Sequence, residues 1–128
     1  MDKKKILVVD DEPDFLSLIK IRLEANNYKV ITALDGASAL EKIKNESPTA
    51  VLLDIQMPVM DGLEVLKRIR QVDSSLPVFM LTAFSNDVRF KLANKLNASG
   101  FIIKTSDLKE EVERIDSVLR LSDKFKSA

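Results

Sequence analysis

The sequence predicts an α/β fold, a doubly wound three-layer sandwich around a five-stranded parallel sheet. Three observations predict it. Five short apolar runs, over residues 6–9, 28–33, 50–53, 77–81 and 101–103, are rich in β-branched residues and leucine and too short for core helices. Five segments with apolar residues at helical spacing alternate strictly with them. No linker or low-complexity stretch interrupts the 128 residues, which suit one domain with one core. Strict alternation implies parallel strands joined by right-handed crossovers, with helices on both faces. A barrel would need eight such units. Alternation alone leaves the strand order open.

The elements follow in order. Ile6-Leu7-Val8-Val9 ends in Asp10-Asp11-Glu12, and Pro13 suits the first turn of a helix. Phe15, Leu16, Ile19 and Leu23 mark its apolar face, and Asn26-Asn27 breaks it. Tyr28 opens the second strand. Asp35 is placed to cap a helix whose inner face is Ala37, Leu40 and Ile43, and a loop from Asn45 leads to the third strand. That run, Ala50-Val51-Leu52-Leu53, is unbroken by polar residues, as in a strand buried on both faces, and it stops at Asp54. Pro58 cannot donate to a ladder and biases Met57 toward extended backbone. Asp61-Gly62-Leu63-Glu64 reads as a reciprocal capping box for a third helix with Leu63, Leu66 and Ile69 inward. The fourth run ends in Thr82. Ser85 or Asn86 starts a helix with Val88, Leu92 and Leu96 on one face, and Asn97 to Gly100 form a turn. The fifth run ends in Lys104. Thr105 or Ser106 caps the last helix, whose Leu108, Val112, Ile115 and Leu119 face the core. The ordered core is expected over about 5–121, with a polar tail over 122–128 that frays. Met57 and Met60 read as loop packing, and the Glu110–Arg114 pair as a solvated helix face.

Composition narrows the function. Basic and acidic residues number 20 each, so global charge favours neither nucleic acid nor an anionic membrane as a direct partner. With no cysteine and no histidine, disulfides, thiolate chemistry, imidazole catalysis and ordinary zinc sites are excluded. Any metal must be a hard cation held by oxygen, such as Mg2+ or Mn2+. The charged start lacks a signal-peptide apolar region and no run approaches membrane-spanning length, so a cytoplasmic chain is expected.

Four apolar runs end in polar groups: Asp10-Asp11, Asp54, Thr82 and Lys104. In a parallel sheet these ends share one edge, where open α/β sheets place their ligands. Any one of them is compatible with the plain start of a surface loop; the four together point to a site. Clustered carboxylates repel, and a divalent cation resolves the conflict. Lys104 supplies a mobile positive charge and Thr82 a hydroxyl donor. A carboxylate in such surroundings is suited to accept a phosphoryl group as an acyl phosphate.

Val8-Val9-Asp10-Asp11-Glu12, the run Leu53 to Gly62, Leu81-Thr82-Ala83 and Gly100-Phe101-Ile102-Ile103-Lys104 resemble, in order, the motifs of the receiver domain of two-component response regulators. The resemblance covers residues 6 to about 119. It implies a flavodoxin-like fold with strand order 2-1-3-4-5. It implies that Asp54 is phosphorylated by a sensor histidine kinase or a histidine phosphotransfer protein. Asp11, Asp54 and the backbone carbonyl of Gln56 would hold Mg2+, with Asp10 assisting through water. Thr82 would turn toward the phosphoryl group and Phe101 swing inward behind it, changing the face of the fourth helix, fifth strand and fifth helix for a downstream output domain, a target protein or a second copy. On its residue type alone Phe101 is an ordinary packed aromatic; its place three before Lys104 favours the switch role. Gln56, Ala83 and Phe84 would flank the phosphoryl group. Phe84 is expected to shield it from water, so phosphate loss timed in Phe84→Ala should be faster, and an unchanged or slower loss would contradict shielding.

The chain departs from the family pattern at Thr105, where proline usually follows the lysine. The Lys104–Thr105 peptide is then either trans with a rearranged loop or cis at a cost of about 2.5–4 kcal/mol. Three other readings compete. A phosphohydrolase using an aspartate nucleophile would carry a second aspartate two residues on, where Gln56 stands. A flavodoxin would need a Ser/Thr/Gly-rich phosphate loop after the first strand, where the acidic run stands. A pseudo-receiver would serve as a docking surface without phosphorylation, at odds with the full set of acidic, hydroxyl and lysine positions.

Overall fold

The computed structural model describes residues 3–83, 87–105 and 107–127. Strands β1 (Lys5–Val9), β2 (Lys29–Ala33), β3 (Ala50–Asp54), β4 (Val78–Thr82) and β5 (Gly100–Ile103) alternate with helices α1 (Pro13–Ala25), α2 (Gly36–Glu46), α3 (Gly62–Val72), α4 (Asp87–Lys95) and α5 (Leu108–Ser127). All strand pairs are parallel, in the order β2-β1-β3-β4-β5. Burial follows position in the sheet: β3 and β4 are buried at every position, whereas edge strands β2 and β5 are partly open.

Side-chain alternation along the strands divides the core in two. Ile6, Val8, Leu52 and Leu81 point to one face, where Leu16, Ile19 and Leu23 of α1 and Val112, Ile115 and Leu119 of α5 cover them. Leu7, Val9, Val51, Leu53 and Met80 point to the other, under Ala39 of α2, Val65, Leu66 and Ile69 of α3 and Ala93 of α4. Both sets are built at the register that aligns Leu7 with Val51 and Leu53 with Met80.

Local signals place most helix ends. Pro13 occupies the first turn of α1, and Asp35 caps α2 by accepting from the Ser38 amide at 2.7 Å. Asp61 accepts from the Glu64 amide at 3.0 Å, but the Glu64 carboxylate pairs with Arg68 instead of reaching back, so the capping box is one-sided. Asp107, not Thr105, caps α5 through the amides of Lys109 and Glu110. Ser85, Asn86 and Ser106 lie outside the described residues. The α5 helix runs on to Ser127, through the stretch expected to fray.

Two helix faces differ from the sequence expectation. On α2, Ala37 is exposed and Ala39 is buried. On α4, Val88 and Leu92 are 67% and 44% exposed, and Ala93 is buried. The helix is turned so that Phe90 meets Phe101 of β5, with ring centroids 3.8 Å apart, and packing between elements overrides the preference of the larger residues. Met57 and Met60 do pack in the loop after β3.

The same loop carries strain. Val59 has φ 68°, the left-handed region that a β-branched residue disfavours, and its side chain is fully exposed. Val59→Gly relieves that strain and loses no packing, while it loosens the unfolded chain. A net gain of roughly 0.5–1 kcal/mol is expected in urea unfolding, and a loss of stability would show the backbone there to be relaxed.

Candidate functional site at the strand ends

Four strands deliver the polar residues to one edge. Asp10 follows β1, Asp54 and Thr82 are the last residues of β3 and β4, and Lys104 follows β5. Asp10 is fully buried, and Asp54 and Thr82 are nearly so. The backbone holds each of them. Asp10 donates its amide to Ala33 of β2 at 3.1 Å, and Lys104 donates its amide to the Thr82 carbonyl at 2.8 Å.

Lys104 is the centre of charge. Its ammonium donates to Asp10 Oδ2 and stands 3.5 Å from Asp54 Oδ2. It also lies 4.9 Å from the centroid of the Phe15 ring, within cation–π range. The other oxygens of the two aspartates face backbone amides: Asp10 Oδ1 accepts from Glu12 at 3.0 Å, and Asp54 Oδ1 from Gln56 at 3.3 Å. Thr105 bears on the lysine's geometry. The Lys104–Thr105 peptide is trans, and Lys104 nonetheless reaches both carboxylates.

The electrostatics follow from this packing. Burial drives the Asp54 carboxyl up to about 6; Lys104 pulls it down, Asp10 pushes it further up, and the Gln56 amide lowers it again. Burial would lower the Lys104 ammonium, but the Asp10 hydrogen bond and the charges of Asp54, Asp10 and Glu12 prevail and raise it. Lys104 is therefore firmly cationic, and Asp54 is a more basic carboxylate than an exposed one.

A cation would find an all-oxygen donor set beside this pair. Carboxylate oxygens of Asp10, Asp11 and Glu12 lie within 4.8 Å of one another, with Asp11 and Glu12 exposed. Such a set, in a chain without cysteine or histidine, fits a hard divalent ion. Among the described residues no helix is long and apolar enough to cross a membrane.

The response regulator receiver domain family matches residues 6–116. The chain belongs to this family. It is 40% identical over 120 residues to the alkaline phosphatase synthesis transcriptional regulatory protein PhoP of Bacillus subtilis, an alignment covering 94% of this chain and 50% of that protein. Among solved structures it is similar to the chemotaxis protein CheY4 of Vibrio cholerae, with a TM-score of 0.85 and 27% identity over 93% of this chain and 98% of that one. It is also similar to the response regulator TrrA of Thermotoga maritima, solved with magnesium and a beryllium fluoride, with a TM-score of 0.77 and 36% identity over 89% of this chain and 97% of that one. The receiver spans about half the length of the curated relatives it matches. Phosphorylation and Mg2+ binding in two-component signalling are general for this family.

Of the residues picked from sequence, the receiver brings Asp10, Asp54 and Lys104 into direct contact and sets Thr82 beside them. Asp11, Gln56 and Ala83 are exposed around the site. Phe84 lies outside the described residues. Phe101 is half-buried and stacked on Phe90. Sequence reasoning passed over four contributors. Glu12 was visible in the acidic run. From sequence Phe15 reads only as core, and Phe90 does not stand out. Glu111 lies four before Ile115 on the inward stripe of α5, where a carboxylate is itself a signal; it is 2% exposed and accepts the Thr105 amide at 3.1 Å.

Proposed function

We propose that Asp54 is the phosphoacceptor of a phosphorylation-controlled receiver, loaded by a sensor histidine kinase or a histidine phosphotransfer protein. The observation that carries this reading is the buried Asp54 carboxylate facing the Lys104 ammonium at the C-terminal edge of the sheet. An Asp54 oxygen attacks phosphorus, the phosphorus–nitrogen bond of the donor's phosphohistidine breaks, and its electron pair stays on the imidazole nitrogen. The product is an acyl phosphate on Asp54. Its raised basicity favours attack, and it is still largely ionised at neutral pH. Lys104 neutralises charge developing on the phosphoryl oxygens, and the Thr82 hydroxyl donates to one of them.

Asp10, Asp11, Asp54 and the backbone carbonyl of Gln56 would hold Mg2+ or Mn2+, with Glu12 beside them. The ion, when bound, supplies charge neutralisation and orientation of the phosphoryl oxygens. Gln56 and Ala83 flank the entry.

The phosphorylated site then biases a two-state surface. Thr82 moves toward the phosphoryl group, and Phe101 turns inward, leaving its stack on Phe90. The concave face lined by Phe101, Ile103, Glu110, Arg114 and Val118 changes with it, which suits an output domain, a separate target or a second receiver. The single-domain reading, with its core over about 5–121, is part of the same proposal.

Incubation with Mg2+ and acetyl phosphate tests the chemistry. The intact mass should rise by one phosphoryl group, and EDTA should prevent it. No gain by folded protein in Mg2+ would favour a receiver that docks without phosphorylation.

A further inference from the structure

The loop that carries Lys104 is tied to α5 through Thr105 and Glu111. Thr105 uses both of its donors. Its amide donates to Glu111 Oε1 at 3.1 Å, and its hydroxyl to the Asp107 carbonyl at 2.8 Å. Glu111 is anchored in turn, since its own amide donates to Asp107 at 3.1 Å in the first turn of α5. The Glu111 side chain is buried, and a buried carboxylate persists only when something satisfies it. The Thr105 amide does so, within the field of the Lys104 ammonium. A proline at 105 would have no amide to offer.

We propose that Glu111 is a positioning residue for Lys104. Its carboxylate fixes the trans Lys104–Thr105 peptide through the Thr105 amide, so that the ammonium reaches Asp10 and Asp54. Lys104 is held at three points: its own amide on Thr82, its ammonium on the two aspartates, and its following peptide on Glu111. Only the third comes from α5. Releasing it leaves a long flexible side chain on a loose loop, and small misplacement of a catalytic group is costly. The inference rests on the phosphoacceptor reading for its effect on rate, but the latch itself has an independent readout.

Two quantities are measured on the full chain: the rate of phosphoryl uptake from acetyl phosphate at saturating Mg2+, and hydrogen exchange of the Thr105 amide. Glu111→Leu removes the acceptor but keeps a buried side chain; it should slow uptake roughly tenfold and expose the amide to exchange. Glu111→Gln keeps an acceptor oxygen and should retain a protected amide and most of the rate. In a Thr105→Pro background the donor is gone, so adding Glu111→Leu should slow uptake no further. An unchanged rate or amide in folded Glu111→Leu overturns the proposal, as does equal further slowing in the Thr105→Pro background. A rate loss that merely follows the unfolded fraction also overturns it. If the wild-type chain takes up no phosphoryl group, the phosphoacceptor reading fails, and amide exchange still decides whether the latch exists.

Discussion

Gly62→Ala is expected to destabilise the fold by about 3 kcal/mol or more, lowering the melting temperature by roughly 10 °C. A Cβ at this position would stand 2.2 Å from the Asp54 carbonyl oxygen, 2.9 Å from its carbonyl carbon and 2.9 Å from Ile55 Cα. All three are main-chain atoms of β3 and its exit, so no side-chain rotation relieves the clash. Either α3 or the end of β3 must move. The Gly62 amide donates to the Ile55 carbonyl at 2.8 Å, which shows how tightly the two segments are joined. Helix propensity alone points the other way, because alanine is favoured over glycine inside a helix by about 0.8–1 kcal/mol. Gly62 does not have positive φ, so conformational freedom is not its purpose. Close approach is. The displacement falls on Asp54 itself, so the folded fraction of Gly62→Ala should also take up phosphoryl groups more slowly. An unchanged or raised unfolding midpoint would contradict this packing.

Asp54→Asn should abolish phosphoryl uptake and at the same time stabilise the fold at neutral pH. Loss of uptake follows because an amide cannot form the acyl phosphate. The stability gain follows from burial. The folded Asp54 carboxyl titrates near 6, above its ordinary value of 3.8, even with Lys104 beside it. The folded state therefore binds more protons than the unfolded state between those values, and stability from this group rises as pH falls through 6 toward 4. Above 6 the ionised carboxylate carries the full penalty. A gap of two pKa units corresponds to about 2.7 kcal/mol, and screening where the site meets solvent reduces it to about 1–2 kcal/mol. Lys104 retains Asp10 as a partner in the variant. Urea unfolding of the two proteins at pH 7.5 and pH 5 checks the sign: the advantage of Asp54→Asn should shrink at the lower pH. A variant less stable than the parent at pH 7.5 would mean that the ion pair outweighs burial.

Much of this molecule was legible in its sequence because the signals are local. Unbroken apolar runs become strands wherever both faces are covered, and β3 and β4 are buried throughout. Asp35 and Asp61 cap helices because their carboxylates reach amides three residues on, a contact written entirely in the neighbouring sequence. Boundaries shift by a residue or two, as for Tyr28, which lies just before β2. Helix faces were less legible. Val88 and Leu92 are apolar and exposed, whereas Ala93 is small and buried, because the rotation of α4 is set by what lies beneath it. Hydrophobicity names residues that gain from burial, but it does not say which surface is present to bury them.

By itself the sequence determined five alternating units, a parallel sheet, and an edge where Asp10, Asp54, Thr82 and Lys104 end their strands. Period and polarity carry that information along the chain, and the family motifs fixed the strand order. Only the tertiary structure decided how those groups meet. It set Lys104 between Asp10 and Asp54 on a trans peptide, laid Phe15 beside the ammonium, and buried Glu111 under Thr105. It also made Gly62, read from sequence only as part of a capping box, a packing requirement. These are contacts across the fold between elements that meet only once the sheet is closed and covered. Their geometry depends on the separation and rotation of neighbouring elements, set by close packing of the whole core and not by any local run of residues.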